Sequence, residues 1–176
     1  DMHDAHSVLR LRLGPFLRAL GEHMEPEEGI VGFARDKTAF VSRHYGAWDS
    51  TTTAHELIHA ITEPFIDQAD RKGLVGMMEG FTDYFTYKVA TPHFGAEPNP
   101  NHPYNDFLVF ATHVAKTVGD KKTKDLFFSG RKDSLKELAR AYDAKVGKRG
   151  IFYRRSRALE AGTLVFDAKG EPTIQK

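Results

Sequence analysis

The stretch from about Val75 to Ala90 has helical spacing and is apolar and aromatic (Met77, Met78, Phe81, Tyr84, Phe85), yet it carries two carboxylates, Glu79 and Asp83. Four residues apart, these acids share one helix face. That face must either turn to water or meet something that neutralises it, because an unpaired carboxylate is expensive to bury. A chain with this helix is therefore committed either to an amphipathic surface helix or to a buried charge with a dedicated partner.

A partner is available 20 residues upstream of Glu79. His55-Glu56-Leu57-Ile58-His59 falls in a predicted helix over Thr51 to Thr62, with Asp49 or Ser50 as cap and Glu63-Pro64 as its end. Two imidazoles four residues apart can reach a single Zn²⁺ from one face. Tetrahedral zinc with an open catalytic corner takes three protein ligands, and Glu79 supplies the third, giving one Zn²⁺ per chain. Glu56 beside the histidines is then the general base, accepting a proton from the attacking water and passing it to the leaving amine. Asp83 can accept the free N–H of a ligand histidine and so fix its tautomer. A competing reading makes Thr53-x-x-Glu56 a capping box at a helix start.

Composition narrows the field further. With 176 residues, 40% of them hydrophobic, the chain is sized for one domain with a real core. The absence of cysteine excludes a disulfide scaffold and a thiolate-ligated metal. A net charge of +1 gives no general pull toward nucleic acid or membrane. No apolar run approaches the roughly 18 residues that a membrane span requires. The opening Asp1-Met2-His3-Asp4 lacks a signal-peptide layout and is what a segment secreted or translocated from a longer precursor would show.

The remaining pattern predicts a helix over Ser7 to Leu20 interrupted at Gly14-Pro15, then a hairpin of Ile30 to Ala34 and Ala39 to Ser42 around Arg35-Asp36-Lys37-Thr38. A loop through Asp67, Asp70 and Gly73 precedes the Val75 helix, which Thr91-Pro92-His93-Phe94-Gly95 should stop. After a proline-rich loop, helices are expected over Tyr104 to Val118, Lys121 to Phe128 and Ser134 to Val146, with a terminal hairpin of Thr163 to Phe166 and Pro172 to Ile174. The expected fold class is α+β in a single domain, 1–176: a strand-containing zinc-ligand half over about 1–90 and a helical half over about 104–160.

His55-Glu56-x-x-His59 followed by Glu79-Gly80-Phe81-Thr82-Asp83-Tyr84-Phe85 resembles the gluzincin zinc peptidases. The His59-to-Glu79 interval and Glu79-x-x-Thr82-Asp83 are similar to the thermolysin family, and the longer string to the glycyl aminopeptidases. The resemblance covers about a third of the chain. It implies a zincin-like fold, a small hairpin over the zinc helix, with His55, His59 and Glu79 as ligands, Glu56 as base, Asp83 orienting a histidine and a peptide or protein as substrate. In size and layout the chain also resembles the metallopeptidase toxin domains of larger bacterial secreted proteins. The Gly-x-Met-Glu-Asn box by which one aminopeptidase family holds a free amino group has no counterpart; the corresponding region reads Gly29-Ile30-Val31-Gly32-Phe33. An endopeptidase is expected, with either hairpin strand pairing with extended substrate.

Amide attack also needs a donor aimed at the developing oxyanion. Tyr104, at a helix entrance beside a polar loop, is the favoured candidate, with His102, His113, Tyr142 and Tyr153 as alternatives. One further reading competes with the peptidase. Lys145 to Arg157 holds six basic and no acidic residues interleaved with Phe152 and Tyr153. A zinc-containing binding module could use this stretch to contact nucleic acid or another anionic partner.

Overall fold

A computed structural model describes residues 32–35, 38–41, 50–100, 102 and 104–175. The predicted Ser7 to Leu20 helix and the Asp49 cap lie outside them. Strands β1 (Gly32–Arg35) and β2 (Thr38–Val41) form an antiparallel hairpin in which Gly32 pairs with Val41 and Arg35 with Thr38. Arg35 and Thr38, expected in the turn, are thus its last paired residues, leaving the two-residue connection that tight hairpins favour. Helix α1 (Ser50–Ile61) packs against both strands. Because α1 starts at Ser50, Thr53 and Glu56 lie inside the helix, and the capping-box reading is excluded.

After Thr62 alone, a second helix begins, α2 (Glu63–Asp70), where a loop was predicted. Pro64 falls in its first turn, where a missing N–H costs nothing, and Phe65 and Ala69, four residues apart, bury one face. Helix α3 (Val75–Phe94) continues past its predicted end, with Pro92 inside its last turn and Gly95 closing it in the left-handed conformation at φ 67°. Proline's own φ is helical, and so near the C-terminus it sacrifices a single backbone bond. Helices α4 (Asn105–Val118), α5 (Asp120–Phe127) and α6 (Ser134–Val146) fall within a residue of expectation. Helix α7 (Ile151–Glu160) was not anticipated: Arg154, Arg155 and Arg157 mask the buried Ile151, Phe152, Ala158 and Leu159. The antiparallel pair β3 (Leu164–Phe166) and β4 (Pro172–Ile174) ends the described chain. The class is α+β, dominated by helices. Among the described residues, no helix is long and apolar enough to cross a membrane.

Helix α3 is the hub. Phe81 and Phe85 pack with Phe65 of α2 and Phe127 of α5 at ring separations of 4.9–6.0 Å. Phe110 of α4, Tyr142 of α6 and Phe152 of α7 form a second aromatic group at 5.7–6.3 Å. Ser156 of α7 donates to Phe152 O at 2.9 Å, and its oxygen lies 3.4 Å from the sulfur of the fully buried Met77. No side chain of its own caps the start of α3; instead the Glu160 carboxylate, at the far end of α7, accepts from Gly76 N at 3.2 Å and Met77 N at 2.9 Å. This places acid at the positive end of the helix and satisfies two otherwise unpaired donors.

Gly76 and Gly80 let α4 cross α3 at close range. A Cβ on Gly76 would overlap the Phe107 ring, and one on Gly80 would overlap the Phe107 backbone carbonyl. Alanine in a helix interior is favoured over glycine by about 1 kcal/mol. Forced separation of packed helices costs about 1–3 kcal/mol, and no rotamer relieves a clash with backbone. Gly80→Ala is therefore expected to lose about 1–2 kcal/mol of stability in urea unfolding, while Gly76→Ala should couple favourably with Phe107→Leu. A Gly80→Ala protein as stable as the parent would contradict this account of the crossing.

Candidate metal centre

The histidine helix α1 lies against the glutamate helix α3, so that side chains from the two meet. His55 Nε2 and His59 Nε2 are 2.8 Å apart, and each is 3.1 Å from Glu79 Oε2. The three donor atoms thus form a small triangle, and the group could hold a metal ion. None of the three faces open water: their side chains are 18%, 10% and 16% exposed. The solvent-facing reading of Glu79 and Asp83 is excluded, since Asp83 is buried as well.

The outer partners decide how the rings are used. His55 Nδ1 lies 2.7 Å from Asp83 Oδ1, a contact in which the ring donates and the carboxylate accepts. In neutral His55 this leaves the Nε2 lone pair directed at His59 and Glu79. His59 turns its own Nδ1 toward the Thr82 hydroxyl at 3.4 Å, a long contact from the residue next to Asp83. With both Nε2 atoms unprotonated, two lone pairs and a carboxylate oxygen converge and favour positive charge between them. Burial opposes that charge on His55, but hydrogen bonds to Asp83 and then Glu79 outweigh it and raise the pKa to about 9. Burial likewise pushes Glu79 up, yet the hydrogen bonds from His55 and His59 hold it down at about 2. The triangle can hold a cation, either a proton on His55 or a metal ion.

Zinc, which the resemblance implies, fits this donor set. Imidazole nitrogen and carboxylate oxygen are among its ordinary ligands, at about 2.0–2.2 Å, so tetrahedral neighbours stand roughly 3.3 Å apart. The observed triangle is a few tenths of an ångström tighter. Glu56 is 7% exposed, and burial raises its pKa against the lowering influence of His55 and His59. A carboxylate with its proton affinity raised in this way is suited to accept and return a proton.

The oxyanion candidates are dispersed. Tyr142 is fully buried, its hydroxyl shared with His113 Nε2 at 2.9 Å and with the Arg155 guanidinium. The Tyr153 hydroxyl is buried too. Tyr104 stands exposed at the entrance to α4, its ring beside His102 and Phe107, and His102 is exposed with it. Among the described residues, none of the contacts of these five reaches the His55, His59 and Glu79 group. The basic run is also divided: Arg155 donates into the fold, to Tyr142 and to Pro172 O at 2.9 Å, whereas Arg154 and Arg157 are exposed.

Sequence reasoning missed Thr82 and Glu160. A hydroxyl inside an apolar run hinted at the first; the second acts across 84 positions and left no local sign. Compared with known proteins, the chain matches no family model, and no curated protein or solved structure at a significant level.

Asp83→Ala is expected to weaken divalent-metal binding about 10- to 100-fold in a chelator competition, the usual cost of losing an orienting carboxylate. Thr82→Val should weaken it less, in keeping with the longer contact. Unchanged affinity in Asp83→Ala would show that the 2.7 Å contact does not orient a ligand.

Proposed function

We propose that this chain is a zinc-dependent endopeptidase with a zincin-like arrangement of hairpin, histidine helix and glutamate helix. The observation that carries the reading is the convergence of His55, His59 and Glu79 on one point, with the buried Glu56 next to the first histidine. A structural zinc site closes with four protein ligands, whereas three ligands and an adjacent base suit hydrolysis. Bound there, zinc supplies Lewis acidity, lowering the pKa of water and polarising the substrate carbonyl.

The protein's own groups carry the rest. Glu56 accepts the proton of the attacking water and returns it to the leaving nitrogen. Asp83 keeps His55 in the tautomer that presents Nε2, and Glu160 holds the start of the helix that bears Glu79. A two-stranded hairpin beside α1 offers backbone to which an extended peptide can add as a further strand. Tyr142, His113 and Tyr153 are occupied or buried within the fold, which leaves the exposed His102 and Tyr104 at the mouth of α4 as oxyanion candidates, Tyr104 the favoured one.

The test is cleavage of an unfolded casein substrate, measured with the metal content and with a chelator. About one zinc per chain and chelator-sensitive cleavage are expected. Glu56→Gln should retain zinc and lose most turnover, by at least roughly 10²-fold, as removal of a general base requires. Tyr104→Phe should lower kcat by roughly 10²-fold with little change in KM if it donates to the oxyanion. Parental cleavage by Glu56→Gln would end the peptidase reading.

A further inference from the structure

Away from the metal group, the turn after α2, the approach to α6 and one side of α7 border an open groove of about 370 Å³ whose charged side chains are exposed. Gln68, Arg71, Lys72, Lys132, Asp133, Lys136 and Tyr153 line it, giving four cations and one carboxylate. Cations gathered in this way repel one another, so they persist in one place only where the backbone holds them or an anion offsets them. Here the backbone is held. The Gln68 amide donates to Pro64 O at 2.7 Å, to Arg131 O at 3.0 Å and to Ser134 Oγ at 3.3 Å, and it accepts from Leu135 N at 3.1 Å. One side chain thereby clamps α2 to the first turn of α6, and the positive end of that helix adds to the field.

The cations are poorly neutralised from within. Arg71 meets Asp67 only at 3.9 Å, and both side chains are strongly exposed. Lys72 lies 5.2 Å over the Tyr153 ring rather than on a carboxylate. Among the described residues, Lys132 and Lys136 have no ion-pair partner. The Tyr153 hydroxyl is buried without a hydrogen-bond partner among those residues.

We propose that this clamped cleft binds a small polyanion of diphosphate type. The lining has three positive charges in excess, more than a singly charged anion would offset and suited to the several charges of a diphosphate. Lysine ammonium groups and an arginine suit phosphate oxygens. The proposal is independent of the peptidase reading, since none of the seven residues belongs to the metal group.

The test is calorimetric titration of the full chain with inorganic pyrophosphate at low salt, with amide shifts at Gln68 and Tyr153 followed by NMR. One saturable site per chain is expected, with shifts at both residues. Lys72→Gln with Lys136→Gln should weaken binding on the order of tenfold or more. Lys122→Gln with Lys124→Gln, exposed on α5, should leave it unchanged, and circular dichroism melts confirm that both variants fold. Two further probes, ADP and phosphatidylcholine vesicles with and without a phosphoinositide, identify the source. Loss of ADP binding in the cleft variant assigns a soluble diphosphate, and loss of vesicle binding assigns a lipid headgroup. Failure of every probe to bind, equal losses in the two double variants, or pyrophosphate binding that survives the cleft variant overturns the proposal.

Discussion

Three side chains from two helices point their electron pairs at one spot, and the packing around them answers to that arrangement. With both Nε2 atoms unprotonated, such a convergence favours a positive charge within it. Helices α1 and α3 must therefore be held together by other contacts firmly enough to keep the triangle small. The aromatic group around Phe81 and Phe85 and the glycine-mediated approach of α4 fix α3, and the buried Ile58 of α1 joins the same core. In physical terms, the hydrophobic core bears the cost of concentrating polar groups at its margin.

The orienting contacts form a graded set. His55 is held by a short charge-assisted hydrogen bond to Asp83, and His59 by a long one to a neutral hydroxyl. A charged acceptor holds its ring more firmly than a neutral hydroxyl does, so the two rings are unequally supported although they sit one helical turn apart. Both partners come from consecutive positions on α3, Thr82 and Asp83, three and four residues beyond Glu79. One turn of that helix thus supplies a ligand and both supports, which explains why so short a string carries so much of the chemical information.

That concentration explains what was legible in the sequence. Helical periodicity places His55 with His59, and Glu79 with Asp83, on one face of each helix, because each pair obeys the i, i+4 rule and needs no knowledge of long-range contacts. Buried apolar faces likewise reveal α4 to α6. Helix α2 was hidden by the assumption that Glu63-Pro64 ends a helix, when the same proline also suits the first turn of the next. Helix α7 was hidden because its arginines dominate the composition, although Arg155 is used internally. The dispersal of the oxyanion candidates could not be read either, since a tyrosine in a core and a tyrosine over a cleft look identical along the chain.

Glu160 joins the two ends of this organisation. Its carboxylate closes the start of α3 across more than eighty positions. During synthesis, the helix bearing the third ligand is therefore made long before the residue that secures it leaves the ribosome. A chain that has emerged only as far as α3 carries both histidines and the glutamate while still lacking the carboxylate that closes this helix start.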